Sequence, residues 1–313
     1  MSEGKPVRTV VILGAGAMGS LFAARMAKAG IGVTLVDVNE QRLAMIARDG
    51  LVLSDNDGTS HIAIDARLAG DVAGPIDLIL LFTKSLHSAA AARSLAHLAK
   101  DGPTALTLQN GLGNAEALAE VFGPERVLMG TAHVPAELEP PNKVISAGFK
   151  HVHLGGYTPA AQVLAAPVAD ALALAGFSPT VAEDAPAAVW SKLAFNASLN
   201  ALALVAGASN ADMNNEWGKR IAHAIVAEAV AVAAAAGIAL DGAEIVATVD
   251  QALAEHGHHK ASMLQDYEAG RPTEIEFING AVAREGERLG VPTPVTATLA
   301  DIVRLMEARA QRA

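Results

Sequence analysis

The sequence predicts an α/β chain in which a parallel-sheet domain over residues 1–183 precedes an all-helical domain over residues 184–313. Three observations carry that expectation. Short β-rich runs alternate with helical stretches from Val7 to about Ala182, the pattern of βαβ units around a parallel sheet. After Asp184 the chain turns to long alanine-rich segments with almost no strand signal. Its 313 residues also exceed the roughly 100–200 of one ordinary domain, so two are expected.

Taken in order, strands are expected at Thr9–Leu13, Val33–Asp37, Leu78–Phe82, Ala105–Leu108, Val127–Gly130 and Val152–Leu154. Between them, Ala17–Ala29, Gln41–Arg48, Ser88–Ala99 and Ala115–Val121 carry apolar residues at helical spacing. Leu51–Ile64 reads as a small β excursion, with Asp55, Asn56, Asp57 and Gly58 supplying the turn chemistry. Pro135, Pro140 and Pro141 mark a loop after the fifth strand. In the second half, Ala185–Val205, Glu216–Ala236, Gly242–His256, Thr273–Leu289 and Val295–Ala310 are each long enough for three or more helical turns. Gly237 and Gly290 end two of them, and Pro292 and Pro294 prevent run-through into the last.

The composition narrows the partners. With 33 acidic and 23 basic residues the net charge is −10, which repels nucleic acid and anionic membrane, and no basic patch offsets it. The absence of cysteine excludes disulfides, a thiolate nucleophile and Cys-based metal sites. Lys5 and Arg8 before an apolar run mimic an export signal, but Gly14, Gly16 and Gly19 interrupt that run. Leu193–Ala211 has no charge over nineteen residues, yet Asn196, Ser198, Asn200, Gly207, Ser209 and Asn210 suit hydrocarbon poorly. A soluble, cytoplasmic chain is therefore expected.

Gly14-Ala15-Gly16-Ala17-Met18-Gly19 follows the first strand and opens the first helix. In that setting it is the Rossmann-type dinucleotide fingerprint, with Gly14 for the tight turn, Gly16 for backbone approach to a pyrophosphate and Gly19 for helix–sheet packing. The helix N-terminus adds N–H donors and a partial positive charge. Asp37, eighteen residues after Gly19, stands where an acid accepts hydrogen bonds from the adenosine ribose. A carboxylate there repels a 2′-phosphate and favours NAD over NADP. Arg42, one turn on, could reach such a phosphate only if Asp37 turned away.

In the second half, Lys192, Asn196 and Asn200 recur every four residues along one helix face among apolar neighbours. An unpartnered amide inside would cost roughly 1–3 kcal/mol and an ammonium more, so the stripe needs partners or a polar ligand. Thr83-Lys84 and the run Gln109–Asn114 fall at the carboxyl edge of the sheet, where open α/β sheets take ligands. A third cluster runs from Ser262 to Asp266 and from Arg271 through Glu274 and Glu276 to Asn279-Gly280. A metal at His256, His258 and His259 finds little support, because no carboxylate stands at a helical spacing to them, and no metal is expected.

Together these motifs resemble the ketopantoate reductase (2-dehydropantoate 2-reductase) family over nearly the whole chain. The resemblance rests on Gly14/Gly16/Gly19, Thr83-Lys84, Gln109–Asn114, Trp190-Ser-Lys192-Leu with Asn196 and Asn200, Ser262-Met-Leu-Gln-Asp266, Thr273-Glu274-Ile and Gly290-Val-Pro-Thr-Pro294. It implies a Rossmann domain, a helical domain and an active site in the cleft between them. The implied reaction is hydride transfer from a reduced nicotinamide, NADPH by family habit, to the C2 ketone of ketopantoate, giving pantoate for pantothenate synthesis. By the resemblance Lys192 is the general acid, and Glu274 binds the substrate's terminal hydroxyl and sets the lysine's state. Asn196, Asn200 and Ser262 hold the substrate's hydroxyl and carboxylate. Asn110 lies by nicotinamide and substrate, and Lys84 near the cofactor. The chemistry agrees, since hydride arrival puts negative charge on the ketone oxygen and calls for a cation able to give up a proton.

Asp37 departs from the family pattern, in which a basic residue after the second strand holds the 2′-phosphate, so both NADP and NAD stay open. Thr296 stands where an asparagine often follows the Pro-x-Pro-Val segment. Two other readings stand beside the reductase. One is an NAD-linked dehydrogenase of another branched or hydroxylated 2-hydroxy acid; the other is a non-catalytic dinucleotide sensor, which leaves Lys192 and Glu274 without a task. A homodimer is only a generic expectation.

Overall fold

The computed structural model describes residues 5–255 and 260–310. The chain falls into two compact units, Met1–Gln109 with Asn114–Ala188, and Asn110–Gly113 with Val189–Ala313.

The strands of the first unit are β1 (Thr9–Leu13), β2 (Gly32–Val36), β3 (Leu51–Asp55), β4 (Gly58–Ile62), β5 (Asp65–Arg67), β6 (Leu78–Leu81), β7 (Thr104–Thr107), β8 (Val127–His133), β9 (Glu137–Glu139), β10 (Lys143–Ser146), β11 (His151–Gly156) and β12 (Ser178–Val181). Its helices are α1 (Ala17–Lys28), α2 (Glu40–Asp49), α3 (Ser88–Ser94), α4 (Asn114–Phe122) and α5 (Ala165–Leu174). Eight strands form one sheet in the order β12-β11-β8-β7-β6-β1-β2-β5. Pairing within it is parallel except between β8 and β11. Leu78, Ile79, Leu80 and Leu81 are all fully buried, which is why this strand is a continuous aliphatic run rather than an alternating one. Val11 pairs with Thr34 on one side and Ile79 on the other, so strand order reverses beside β1, where such sheets bind ligands beyond their carboxyl ends.

The β excursion is a hairpin, β3 with β4, turning at Asp55–Gly58. It belongs to a second sheet, β4-β3-β10-β9. Asp55, at the hairpin's end, accepts from Arg25 Nη2 of α1 at 2.7 Å, and both side chains are almost fully buried (1% and 5% exposed). The Arg25 guanidinium also lies 5.8 Å from the Phe177 ring centroid.

Several elements differ from expectation. β2 and β6 each end one residue early, leaving Asp37 and Phe82 just past the sheet. The helix expected at Ser88–Ala99 closes at Ser94 and continues as a tighter turn over Ala96–Asp101, ended by left-handed Gly102. β5, β9, β10 and β12 are strands of three or four residues, too short to carry a periodic signal, and α5 was not anticipated.

The second unit holds α6 (Ala185–Ala206, from Val189 on), α7 (Asn210–Met213), α8 (Glu216–Ala235), α9 (Gly242–Glu255), α10 (Ser262–Glu268), α11 (Asn279–Leu289) and α12 (Pro294–Ala310). Its core sets Trp190, Leu193, Ala194 and Ala197 with Ile225, Val226 and Ala229, and small alanines allow close helix approach. In α6, which has the length and apolarity to cross a membrane, 67% of the most apolar window is buried, as in the core helix of a folded unit. The helix expected at Thr273–Leu289 begins only at Asn279. Residues 274–278 form a turn closed by Phe277 N–H and Ile278 N–H on the Glu274 carbonyl, at 3.0 and 3.1 Å. Two buried isoleucines, Ile275 and Ile278, and side-chain bonds from α11 and α12 hold it out of the helix.

Candidate active site

The glycine loop occupies the carboxyl edge of the first unit's sheet. β1 ends at Leu13 and α1 begins at Ala17, so the chain reverses within three residues. Gly14 has φ +101°, and a Cβ there would lie 2.8 Å from the Phe82 carbonyl and the Thr83 nitrogen. Only glycine meets both demands. At Gly19 a Cβ would collide with the Gly14 carbonyl oxygen. Gly16, by contrast, is exposed, with open space where its Cβ would stand. It caps α1 without any side-chain bond to the first-turn N–H groups, those of Ala17 and Met18 among them. The loop thus offers an anion a backbone cradle at a helix N-terminus.

Asp37 has a structural task that the sequence reading did not include. Its Oδ2 accepts the Ala15 N–H at 2.7 Å, and its Oδ1 accepts the N–H groups of Val38 and Asn39 at 2.8 and 3.0 Å. Arg42 Nε donates to the Ala15 carbonyl at 3.0 Å and Nη1 to the Pro141 carbonyl at 3.1 Å. The Ala15 peptide is therefore gripped from both sides. Burial holds the Arg42 pKa below its ordinary value, opposed by nearby Asp37, and Nη2 is buried without a hydrogen-bond partner. Of about four lone-pair positions on the Asp37 carboxylate, three are used, leaving Oδ2 one for a further donor.

Lys84 follows β6 on exposed, extended backbone. Beside it a buried polar network fixes both ends of the Gln109–Asn114 loop. The Gln109 amide donates to the Thr83 carbonyl and to Ser88 Oγ, Ser88 Oγ donates to Asn114 Oδ1 at 2.7 Å, and Asn114 Nδ2 donates to Ser85 Oγ at 3.2 Å.

The middle of that loop, Asn110–Gly113, folds with the second unit. Leu112 N–H donates to the Phe277 carbonyl at 2.9 Å. Gly111, at φ +85°, is pressed so close to that carbonyl that any Cβ would collide with it. Asn196 Nδ2 then meets Asn110 Oδ1 at 3.4 Å, the long end of hydrogen-bond range. On α6, Lys192 and Asn196 are half-buried and Asn200 is buried, between apolar residues that face the core. Burial pushes the Lys192 pKa down to about 8, while the Glu274 carboxylate pulls it back up. Asn279 Nδ2 donates to the Ala197 carbonyl at 2.9 Å, tying the Glu274 turn to α6.

The second unit thus brings Lys192, Asn196, Asn110 and Glu274 into one neighbourhood, with Asn200 one turn further along α6. Ser262 begins α10 and is exposed; among the described residues it makes no hydrogen bond to this stripe. Gly14, Gly16, Ala17, Met18, Gly19, Asp37 and Lys84 gather at the sheet edge of the first unit. His256, His258 and His259 lie outside the described residues. Among the described residues no group of three or more His, Asp or Glu side chains could hold a metal ion. The sequence reading missed Arg284, Arg304 and Glu307, which bond to the Glu274 turn from 8 to 34 residues away. No spacing or motif signals such contacts.

Residues 10–159 match the family model described as ketopantoate reductase PanE/ApbA, and residues 184–307 match its C-terminal counterpart. The 2-dehydropantoate 2-reductase of Halobacterium salinarum is 35% identical over 304 residues, covering 95% of this chain and 98% of the relative. Among solved structures, D-mandelate dehydrogenase with NADH and anilino(oxo)acetate superposes with a TM-score of 0.91 at 28% identity, covering 97% of this chain and 99% of that one. A PanE/ApbA family ketopantoate reductase from Ralstonia eutropha JMP134 gives 0.86 at 29% identity, covering 97% and 99%.

Proposed function

This chain belongs to the ketopantoate reductase family of oxidoreductases, and on that premise we propose that it reduces the C2 ketone of ketopantoate to pantoate. The observation that carries the reading is the Lys192–Glu274 pair: an ammonium desolvated to a pKa of about 8 on a helix face that also carries Asn196 and Asn200. A lysine in that range gives up a proton near neutrality, which an exposed lysine does poorly.

The residues present fit a nicotinamide dinucleotide. The uncapped N-terminus of α1 and the open space at Gly16 suit a pyrophosphate, and Asp37 keeps an acceptor position for a ribose hydroxyl. When bound, the reduced nicotinamide supplies hydride to the ketone carbon. Lys192 gives its proton to the carbonyl oxygen as negative charge develops there, leaving a neutral amine that solvent reprotonates. Glu274 stabilises the ammonium before transfer, and the amides of Asn110, Asn196 and Asn200, with the Ser262 hydroxyl, bind the substrate's carboxylate and hydroxyl. Lys84 serves the cofactor side.

A second reading, an NAD-linked dehydrogenase of another branched or hydroxylated 2-hydroxy acid, is suggested by Asp37 and is consistent with the likeness to D-mandelate dehydrogenase bound to NADH. Steady-state reduction of ketopantoate, of other branched 2-oxo acids and of an aromatic one, each with NADPH and with NADH, separates the two. No turnover of ketopantoate with either cofactor sinks the first reading.

Asp37→Ala is expected to move the NADH/NADPH preference toward NADPH by roughly tenfold, equivalent to about 1.4 kcal/mol. It should weaken both cofactors as well, because the Ala15 N–H loses its acceptor. Fluorescence titration with each cofactor checks this, and an unchanged ratio removes the carboxylate from the argument.

The pH profile follows from the lowered lysine. Reduction needs protonated Lys192, so kcat/KM should be level below about pH 8 and fall up to tenfold per unit above it. Oxidation of the hydroxy acid needs the neutral amine and should rise through the same region. A reduction profile still flat at pH 10 counts against this lysine as the acid.

A further inference from the structure

Glu276 stands two residues beyond Glu274 in the same turn, and two guanidinium groups meet at its carboxylate. Arg304 of α12 donates from Nε to Oε1 at 2.6 Å and from Nη2 to Oε2 at 2.8 Å. Arg284 of α11 donates from Nη1 to Oε2 at 2.9 Å and from Nη2 to the Glu276 backbone carbonyl at 2.6 Å. Arg304 is steadied in turn by Asp301 at 2.8 Å, and Glu307, nearly one turn along α12, accepts the Thr273 N–H at 2.8 Å. These bonds hold the Glu276 carboxylate below its ordinary pKa and Arg304 above its own.

The site described above uses none of these groups. Arg304 and Glu276 are 39% and 44% exposed, and ion pairs that open to water contribute little to stability. A bidentate pair nevertheless fixes rotation as well as distance, which a single point charge does not. Glu274 shares a turn of five residues with Glu276, so rotation of the Glu276 carboxylate and of Glu274 are linked through the backbone. The turn's other bonds, Phe277 carbonyl to Leu112 and Asn279 to Ala197, hold its far side to the Asn110 strap and to α6.

The geometry points to Arg304 as a positioning residue whose two-point grip on Glu276 holds the turn at the rotation that keeps Glu274 against Lys192. This inference rests on the proposed reading of Lys192 and Glu274 as the proton-transfer pair. It makes a prediction opposite in sign to direct electrostatics. Removing a cation by itself raises the pKa of a nearby lysine. Releasing Glu274 from Lys192 removes the carboxylate that raises it, and lowers it.

The test uses the full chain labelled with 13Cε-lysine, with the Lys192 resonance assigned from its loss in Lys192→Met. In Arg304→Met the Lys192 titration midpoint should fall from about 8 by roughly one pH unit, and turnover should fall roughly tenfold. Arg304→Lys keeps the charge without the fork and should fall between the wild type and Arg304→Met in both readouts. It also carries the test if the methionine variant does not fold. A midpoint that rises or stays put in the folded variants overturns the inference. If instead Lys192→Met retains turnover, the acid assignment fails while the midpoint still reports on the grip.

Discussion

Lys192→Met is expected to lower turnover of the 2-oxo acid by roughly a thousandfold, the scale of losing a positioned general acid, while leaving NADH affinity within about twofold. Methionine keeps an apolar stem of similar length against the walls of α6, so the loss comes from the missing proton donor and cation rather than from a cavity. The groups assigned to the dinucleotide, from Gly14 to Gly19 with Asp37, belong to the other unit. Stability should move the opposite way. The folded-state pKa of about 8 is below the roughly 10.4 of a free lysine, so between those values the unfolded chain binds more protons and stability rises with pH. The group's penalty is thus fully present below pH 8 and is relieved as pH climbs from there to the unfolded value. Removing the ammonium should stabilise the protein at pH 7 by on the order of 1 kcal/mol, less than the bare shift implies because Glu274 loses its counter-charge. Single-turnover kinetics and paired thermal melts at pH 7 and pH 10 measure both effects. Undiminished turnover would remove Lys192 from the mechanism, and a stability loss at pH 7 would contradict its desolvation.

The second large effect lies far from the chemistry. Asp55→Ala should destabilise the first unit by about 3–5 kcal/mol, because it leaves Arg25 as a buried cation without its acid. Arg25 is 5% exposed and its Nε already lacks a hydrogen-bond partner, so the face of Phe177 is what remains to it. That loss is a large share of the 5–15 kcal/mol typical of a whole domain. Asp55 also accepts the Asp57 N–H at 2.9 Å, so the hairpin turn between β3 and β4 loosens with it. The double replacement Arg25→Met with Asp55→Leu should recover most of the loss, since apolar pairs of similar volume often match a buried ion pair. Urea unfolding of the wild type and of both variants decides it. A cost under 1 kcal/mol for Asp55→Ala would mean that water reaches Arg25.

The aliphatic core strands and the long helices were legible because their signals are local. β6 is apolar throughout and β1 is apolar after Thr9, and α6, α8 and α12 repeat at helical spacing. Apart from the ten-residue α5, the elements that escaped notice are short. A three-residue strand such as β5 or β9 exists only through the neighbour it pairs with. The turn over residues 274–278 was read as helix because its composition allows one, whereas Glu307, Arg284 and Arg304 hold it otherwise.

The candidate site divides along the same line. Gly14, Gly16 and Gly19 carry their purpose in their spacing, since a tight turn and a close backbone approach exclude every larger residue at two of the three positions. Lys192, Asn196 and Asn200 announce a shared face through their four-residue repeat. Glu274 is linked to Lys192 through the family resemblance and not through spacing. Glu274 is 82 residues away in sequence (274 − 192), and no local pattern links the two. Asp37 could be read as a ribose acceptor, but its grip on the Ala15 N–H emerges only when β1 and β2 lie side by side. By itself the sequence determined the two-part architecture, the dinucleotide loop and the polar helix face, because backbone geometry and periodicity act over a few residues. The tertiary structure decided the capture of Asn110–Gly113 by the helical unit, the bond of Asp37 to the Ala15 N–H and the Arg304–Glu276 grip. Long-range electrostatics and hydrogen bonds depend on distances that only the folded chain defines.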